Sequence, residues 1–197
     1  MALLNPIATA ACPPPPMRRS RRLAVLALLL AGATAAWAQT AAFREYQLKA
    51  VFLFNFAQFV EWPSSAYPEP GAPLVIGVLG EDPFGTTLDD TVRDEMIGPH
   101  PLVVQRYRRA EEIGHCHILF ISQSETGRLE QVLARLRGRQ ILTVSDAPGY
   151  AVRGVMIRFI TERGRIRLRI NLDAAKATGL VISSKLLRPA EIITSEK

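Results

Sequence analysis

The chain has 197 residues, 48% of them hydrophobic, with 24 Lys and Arg against 18 Asp and Glu. That length holds one domain with a proper core. The formal charge of +6 looks basic, but Arg18, Arg19, Arg21 and Arg22 all stand in the first 38 residues, where there is no acid; beyond them 20 basic residues face 18 acidic ones. A balance so close to neutral excludes an electrostatic case for nucleic acid or for an anionic membrane surface.

The four arginines open a three-part leader. They form a positive n-region, Leu23 to Ala31 is a short apolar run, and Ala36-Trp37-Ala38 is an A-x-A cleavage pattern. This is a secretory signal peptide over 1–38, with Gln39 as the mature N-terminus and Met17 as an alternative start. The apolar run is far short of the roughly 20 residues a membrane span needs. The expected compartment is the periplasm. Residues 39–197 are expected to form a single domain. Cys12 leaves with the leader, so the exported chain keeps one cysteine, Cys116. It has no internal disulfide partner, and an odd thiol in an oxidising compartment is either buried or bridged to another molecule.

The conspicuous stretch of the mature chain is Lys49 to Pro63. Five of the eight phenylalanines lie between Phe43 and Phe59, and Ala50 to Val60 carries no charge. The pattern predicts a helix buried on nearly every side, ended by the Glu61-Trp62-Pro63 corner, because proline lacks an amide hydrogen and disfavours helix before it. Ser64 to Pro73 reads as a loop. Leu74 to Leu79 is a short, β-branched, wholly apolar run, as in a central strand covered on both faces. Thr86 to Ile97 is expected to be helical. His100 to Tyr107 and Cys116 to Ile121 read as strands. Ser122 to Glu125 looks like a helix cap, and Leu129, Val132, Leu133 and Leu136 give an amphipathic helix ending at Gly138. Ile141 to Ser145 is a further strand.

This alternation argues for an α/β fold, a mostly parallel sheet with helices on both faces. The end of the chain departs from it. Val155 to Thr161 and Arg165 to Leu172 flank Glu162-Arg163-Gly164, which predicts an antiparallel hairpin at the edge of the sheet. In its second arm Arg165, Arg167 and Arg169 alternate with Ile166, Leu168 and Ile170, giving an apolar face and a row of arginines. That row protects an edge against aggregation or forms a partner surface. Asp173 to Thr178 reads as a short helix, and Val181 to Ile193 as a final one.

No constellation carries catalysis. Gly77, Gly80 and Gly85 follow a strand but do not match G-x-G-x-x-G, and Glu81-Asp82 would repel a phosphate, so no nucleotide cofactor is expected. His115-Cys116-His117 has metal-ligand residue types without a second cluster to complete four ligands. There is no G-x-S-x-G elbow, and Ser183-Ser184-Lys185 does not fit S-x-x-K. The residues leave binding or regulation as the function, with neither enzyme chemistry nor cofactor.

Six stretches in order resemble the YfiR family: Lys49 to Pro63; Ile76 to Phe84; Cys116 to Ser122; Ile141 to Asp146; Ile170-Asn171-Leu172 with Ala174-Ala175; and Gly179 to Leu187. The resemblance implies a small periplasmic α/β regulator. Its expected partner is the periplasmic region of an inner-membrane diguanylate cyclase, which it would repress in cyclic di-GMP signalling and biofilm control. An outer-membrane lipoprotein with a peptidoglycan-binding domain would relieve the repression, and the regulator is expected to be a homodimer. Some relatives carry four cysteines in two disulfides, one of them redox-sensitive; here only Cys116 matches one of those positions. A small-molecule site of the family maps onto Glu61, Val181 and Ser183, where an acid and an apolar residue replace cationic groups, so its anion does not transfer. Glu61, Trp62, Ser183 and Lys185 remain candidates for a different contact, with Arg165, Arg167 and Arg169 as a partner surface. The alternative is a periplasmic small-molecule binding protein with its site in the crevice at the strand ends.

Overall fold

The computed structural model describes residues 42–150 and 153–193. The signal peptide expected over 1–38 lies outside the described residues. All of the described residues belong to one compact unit that starts at Ala42.

The sheet grows from β2 (Leu74–Leu79), whose six side chains are all buried. It is flanked in parallel by β4 (His100–Tyr107) and β5 (Ile118–Ile121). Gly77 is needed here for close approach: a Cβ would lie 2.7 Å from Tyr107 and 2.9 Å from Cys116. The sheet continues in parallel from β5 to β6 (Leu142–Ser145) and β7 (Ile157–Glu162). The antiparallel β8 (Arg165–Asn171) then forms the expected hairpin. Arg163 and Gly164 both have positive φ at its turn, the geometry that matches strand twist. A short strand, β10 (Glu191–Ile193), adds beyond the hairpin in parallel with β8. At the far side β3 (Met96–Ile97) pairs antiparallel with β4. The full order is β10-β8-β7-β6-β5-β2-β4-β3. Chain order reverses between β2 and β5, the switch point of an open α/β sheet.

Helices cover both faces. On one, helix α1 (42–59) and α2 (Thr86–Val92) pack on Ile76, Val78, Phe120, Val144, Phe159 and Ile170. On the other, α3 (Leu129–Leu136) packs on Leu119 and Ile121 together with Tyr150 and Val155. Ser122 caps the turn that leads into α3, its side chain accepting from the Ser124 amide. Asn171 caps α4 (Leu172–Ala177) in the same way, accepting from the Ala174 amide.

Four expectations need correction. Helix α1 is not buried on nearly every side: Ala50, Leu53, Phe56 and Ala57 are buried, while Phe43, Leu48 and Val51 are exposed. The sheet covers only one side of it, through contacts such as the stacking of Phe56 on Phe159 at 5.8 Å. Nor does Pro63 end it. Helix gives way at Phe59, because Val60–Glu61 (β1) is drawn into an antiparallel ribbon with β9 (Val181–Ile182). The segment Thr86 to Ile97 stops being helical at Val92 and turns into β3 through Asp94 at φ 60°. Finally, Val181 to Ile193 is not a helix but β9, the single turn α5 (Ser184–Leu187) and β10. The β-branched Val181 and Ile182 pair across to β1, and Pro189 has no amide to continue α5.

Candidate functional site

The β1–β9 ribbon joins the corner to the start of α5. Glu61 pairs with Val181 and Val60 with Ile182, and the Ser183 amide donates to the Phe59 carbonyl at 2.9 Å. Ser183 has a local duty: its hydroxyl oxygen accepts from the Lys185 amide and caps α5. The Lys185 ammonium lies 5.3 Å from the centre of the Phe59 ring, a cation–π distance. The register therefore sets Glu61 beside Val181 at one end of the ribbon and Ser183 with Lys185 at the other, next to Phe59. Glu61 and Val181 are both exposed at their end.

Trp62 leaves that group and enters a box of rings at the amino ends of β2, β4 and β5. Its indole meets the His117 ring edge-on at 5.9 Å. Tyr67 stacks on His100 at 3.8 Å and leans on His117 at 4.6 Å. His100 is fixed by donating its Nδ1 proton to the Ala72 carbonyl at 2.6 Å. His117 is only 1% exposed. The Val75 amide donates to its Nδ1 at 3.1 Å, so a neutral His117 carries its proton on Nε2. Burial pushes its pKa down to about 4, and the neighbouring His100 and His115 push the same way. The Nε1 of Trp62 and the Nε2 of His117 are buried without a hydrogen-bond partner among the described residues. Trp62, Tyr67 and His100, with Pro68, Pro70 and Pro99, line an open cleft of about 520 Å³. Nothing in the sequence marks Tyr67 or His100 for this box, and His117 stands out there only within the His115-Cys116-His117 set. Their spacing carries no period, because three separate strand starts bring them together.

The opposite, carboxyl ends of the strands are filled. The Lys49 ammonium sits 2.6 Å from both Asp146 and Glu45. The Tyr46 hydroxyl donates to Asp146 at 2.8 Å, and the Gln123 amide donates to its other oxygen at 3.3 Å. At the switch point the Glu81 amide donates to the Ser124 hydroxyl oxygen, and a Cβ on Gly80 would lie 2.3 Å from that same oxygen. The crevice in which a small-molecule site was expected is thus occupied by the protein's own side chains, and the open cleft is at the other end of the strands.

Cys116 is buried and free. Burial pushes its thiol up to about 12, and its Sγ donates to the Ile118 carbonyl at 3.2 Å. A protonated, enclosed thiol packs and is not poised for redox chemistry, which is the buried one of the two alternatives for this odd cysteine. Its two neighbours do not act together, since His115 is exposed and His117 is buried.

Arg165, Arg167 and Arg169 lie on the face of β8 away from α1, while Leu168 and Ile170 face the core. Arg169 pairs with Glu191 at 2.8 Å and Arg167 with Glu162 at 3.8 Å. The register puts Arg158 of β7 directly opposite Arg169. Arg158 belongs to the same row, and it is the register that shows it.

The YfiR/HmsC-like family profile matches residues 46–191. The chain belongs to the YfiR/HmsC-like family. That family is regulatory, non-catalytic and periplasmic, and membership supports a role in cyclic di-GMP signalling in general terms. Among the described residues no helix is long and apolar enough to cross a membrane. No curated protein matches the sequence. Among solved structures, a conserved domain protein from Vibrio cholerae O1 biovar El Tor is 12% identical, with 60% of this chain and 54% of that one covered and a TM-score of 0.45. The ABC domain from Streptococcus pneumonia in complex with L-Trp is 10% identical, with 61% and 55% covered and a TM-score of 0.46. This YfiR/HmsC-like chain spans about half the length of each, and at these scores neither likeness bears on the site.

Proposed function

We propose that the protein is a periplasmic repressor that binds the periplasmic region of an inner-membrane diguanylate cyclase and holds its activity down. The observation that carries this reading is the family match over 46–191. The β1–β9 ribbon, with the exposed Glu61 and Val181 at one end and Ser183 and Lys185 at the other, supports a protein contact along it. An outer-membrane lipoprotein that binds peptidoglycan is the proposed counter-partner, and the repressor acts as a homodimer. Deleting the gene should raise cellular cyclic di-GMP, and supplying it in trans should restore the lower level. An unchanged level in the deletion strain removes the repressor reading.

A second reading is supported by the cleft beside Trp62. Its aromatic and proline-rich walls suit a flat, largely apolar ligand. A thermal-shift screen of periplasmic metabolites tests it, because a ligand that binds only the folded chain raises Tm. Trp62→Ala should abolish any such shift.

A further inference from the structure

The outer face of the β7–β8 hairpin carries four arginines, Arg158, Arg165, Arg167 and Arg169, against two acids, Glu162 and Glu191. Arg158 and Arg169 are direct cross-strand partners, and like charges in that position repel. Both are half-buried, and the Nε of each lacks a hydrogen-bond partner among the described residues. Arg169 has the exposed Glu191 on one side. Arg158 has no ion pair or hydrogen bond among the described residues. Burial and the charge of Arg169 both disfavour its charged form, and the nearby Asp146 carboxylate offsets them only in part.

The neighbours of Arg158 are already committed. Ser145, its partner on β6, donates its hydroxyl to the Ile121 carbonyl and accepts from the Ala147 amide. Asp146 is engaged by Lys49, Tyr46 and Gln123. A guanidinium taken partly out of water without a partner is unfavourable, so the face is complementary to an anion that the fold does not itself provide. Arg167 and Arg165 extend the row from Arg169 toward the hairpin turn. Their steps of two residues are about 7 Å each, the repeat of side chains on one face of an extended peptide. Glu162, Arg163, Arg165 and Arg167 line a half-open hollow of about 860 Å³. It suits a chain lying across it better than a small ion held within it.

We propose that this face is a docking strip for an acidic segment of a protein partner, with Arg158 and Arg169 gripping one carboxylate and Arg167 and Arg165 the next ones along. Guanidinium forks bind carboxylates two bonds at a time. The strip rests on the partner-binding reading above and deepens it by naming a contact surface and the chemistry it recognises.

The test uses the mature chain and a fluorescent Glu-rich peptide, with inorganic phosphate and phosphatidylglycerol vesicles as separate arms. The peptide should bind at low salt and weaken as salt is raised. Arg158→Gln and Arg167→Gln should each weaken binding about fivefold, and the pair more, while Arg108→Gln on β4's side of the sheet leaves it unchanged. Arg158→Gln should leave Tm unchanged or raise it, since it removes an unpaired charge. The proposal is overturned if the peptide does not bind, if the double variant binds it equally well, or if only phosphate or vesicles bind. A marked fall in Tm for Arg158→Gln also overturns it, because that would reveal an internal partner. If deleting the gene raises cyclic di-GMP but the double variant complements fully, the strip is lost and the repressor reading stands.

Discussion

Burial holds the His117 ring neutral until the pH falls to about 4, whereas an unfolded chain protonates it near 6.5. Between those values the unfolded state binds the extra proton. Stability from this residue is therefore fully present above about 6.5 and is lost as the pH falls toward 4, amounting to about 3 kcal/mol at most. His117→Asn keeps an acceptor for the Val75 amide and removes the titration. The variant should be less stable than the wild type at pH 7, and the gap should narrow steadily toward pH 4. Urea midpoints at several pH values measure this, and a gap independent of pH would show that the ring does not titrate with folding. In the sequence His117 looked like one of a metal-like trio with Cys116. What separates the three is depth, and residue type says nothing about depth.

At the scale of elements, α1 is fastened to the sheet in two ways. Phe56, Leu53 and Ala57 bury its apolar face, each large side chain contributing about 2 kcal/mol. At the other level Lys49 reaches Asp146, 97 residues away, at 2.6 Å. Lys49→Met should cost roughly 3–5 kcal/mol, because Asp146 is left as a buried carboxylate with only neutral donors. Lys49→Met with Asp146→Leu should cost less than the single change, since no charge is then stranded. Chemical denaturation of the three proteins checks the order, and additive losses would sink this account. Lys49 and Asp146 each stand in a stretch that resembles the family, yet nothing local shows that they meet. The same limit applies to the end of α1. An apolar pattern shows which residues avoid water, but β9 decides whether Val60 does so as helix or as strand.

For the whole molecule, export comes first. The protein recovered from the periplasm should begin at Gln39, which mass spectrometry of the intact chain will show; a product retaining residues 1–38 would contradict the leader reading. The arrangement of sites also belongs to this scale. The ring box stands at the amino ends of the strands, the Lys49 network fills the carboxyl ends, and the arginine row lies on the hairpin. Two of these three were partly legible in advance. Trp62 stood out as an aromatic without a packing explanation, and Arg165, Arg167 and Arg169 stood out by strict alternation. Arg158 does not stand out in the sequence, because its strand carries only one arginine and a single residue shows no period.

By itself the sequence determined the α/β class, the hairpin and the central strands, because continuous β-branched runs, a positive-φ turn and a two-residue alternation are properties of neighbours in the chain. It also carried the family, through ordered stretches that need no coordinates to be compared. Only the tertiary structure decided that one face of α1 stays exposed, that Val181 to Ile193 splits into strand, turn and strand, and that the crevice at the switch point is filled. It alone brought Tyr67, His100 and His117 around Trp62 and set Arg158 against Arg169. Each of these depends on which distant segment arrives alongside, and local periodicity holds no information about that.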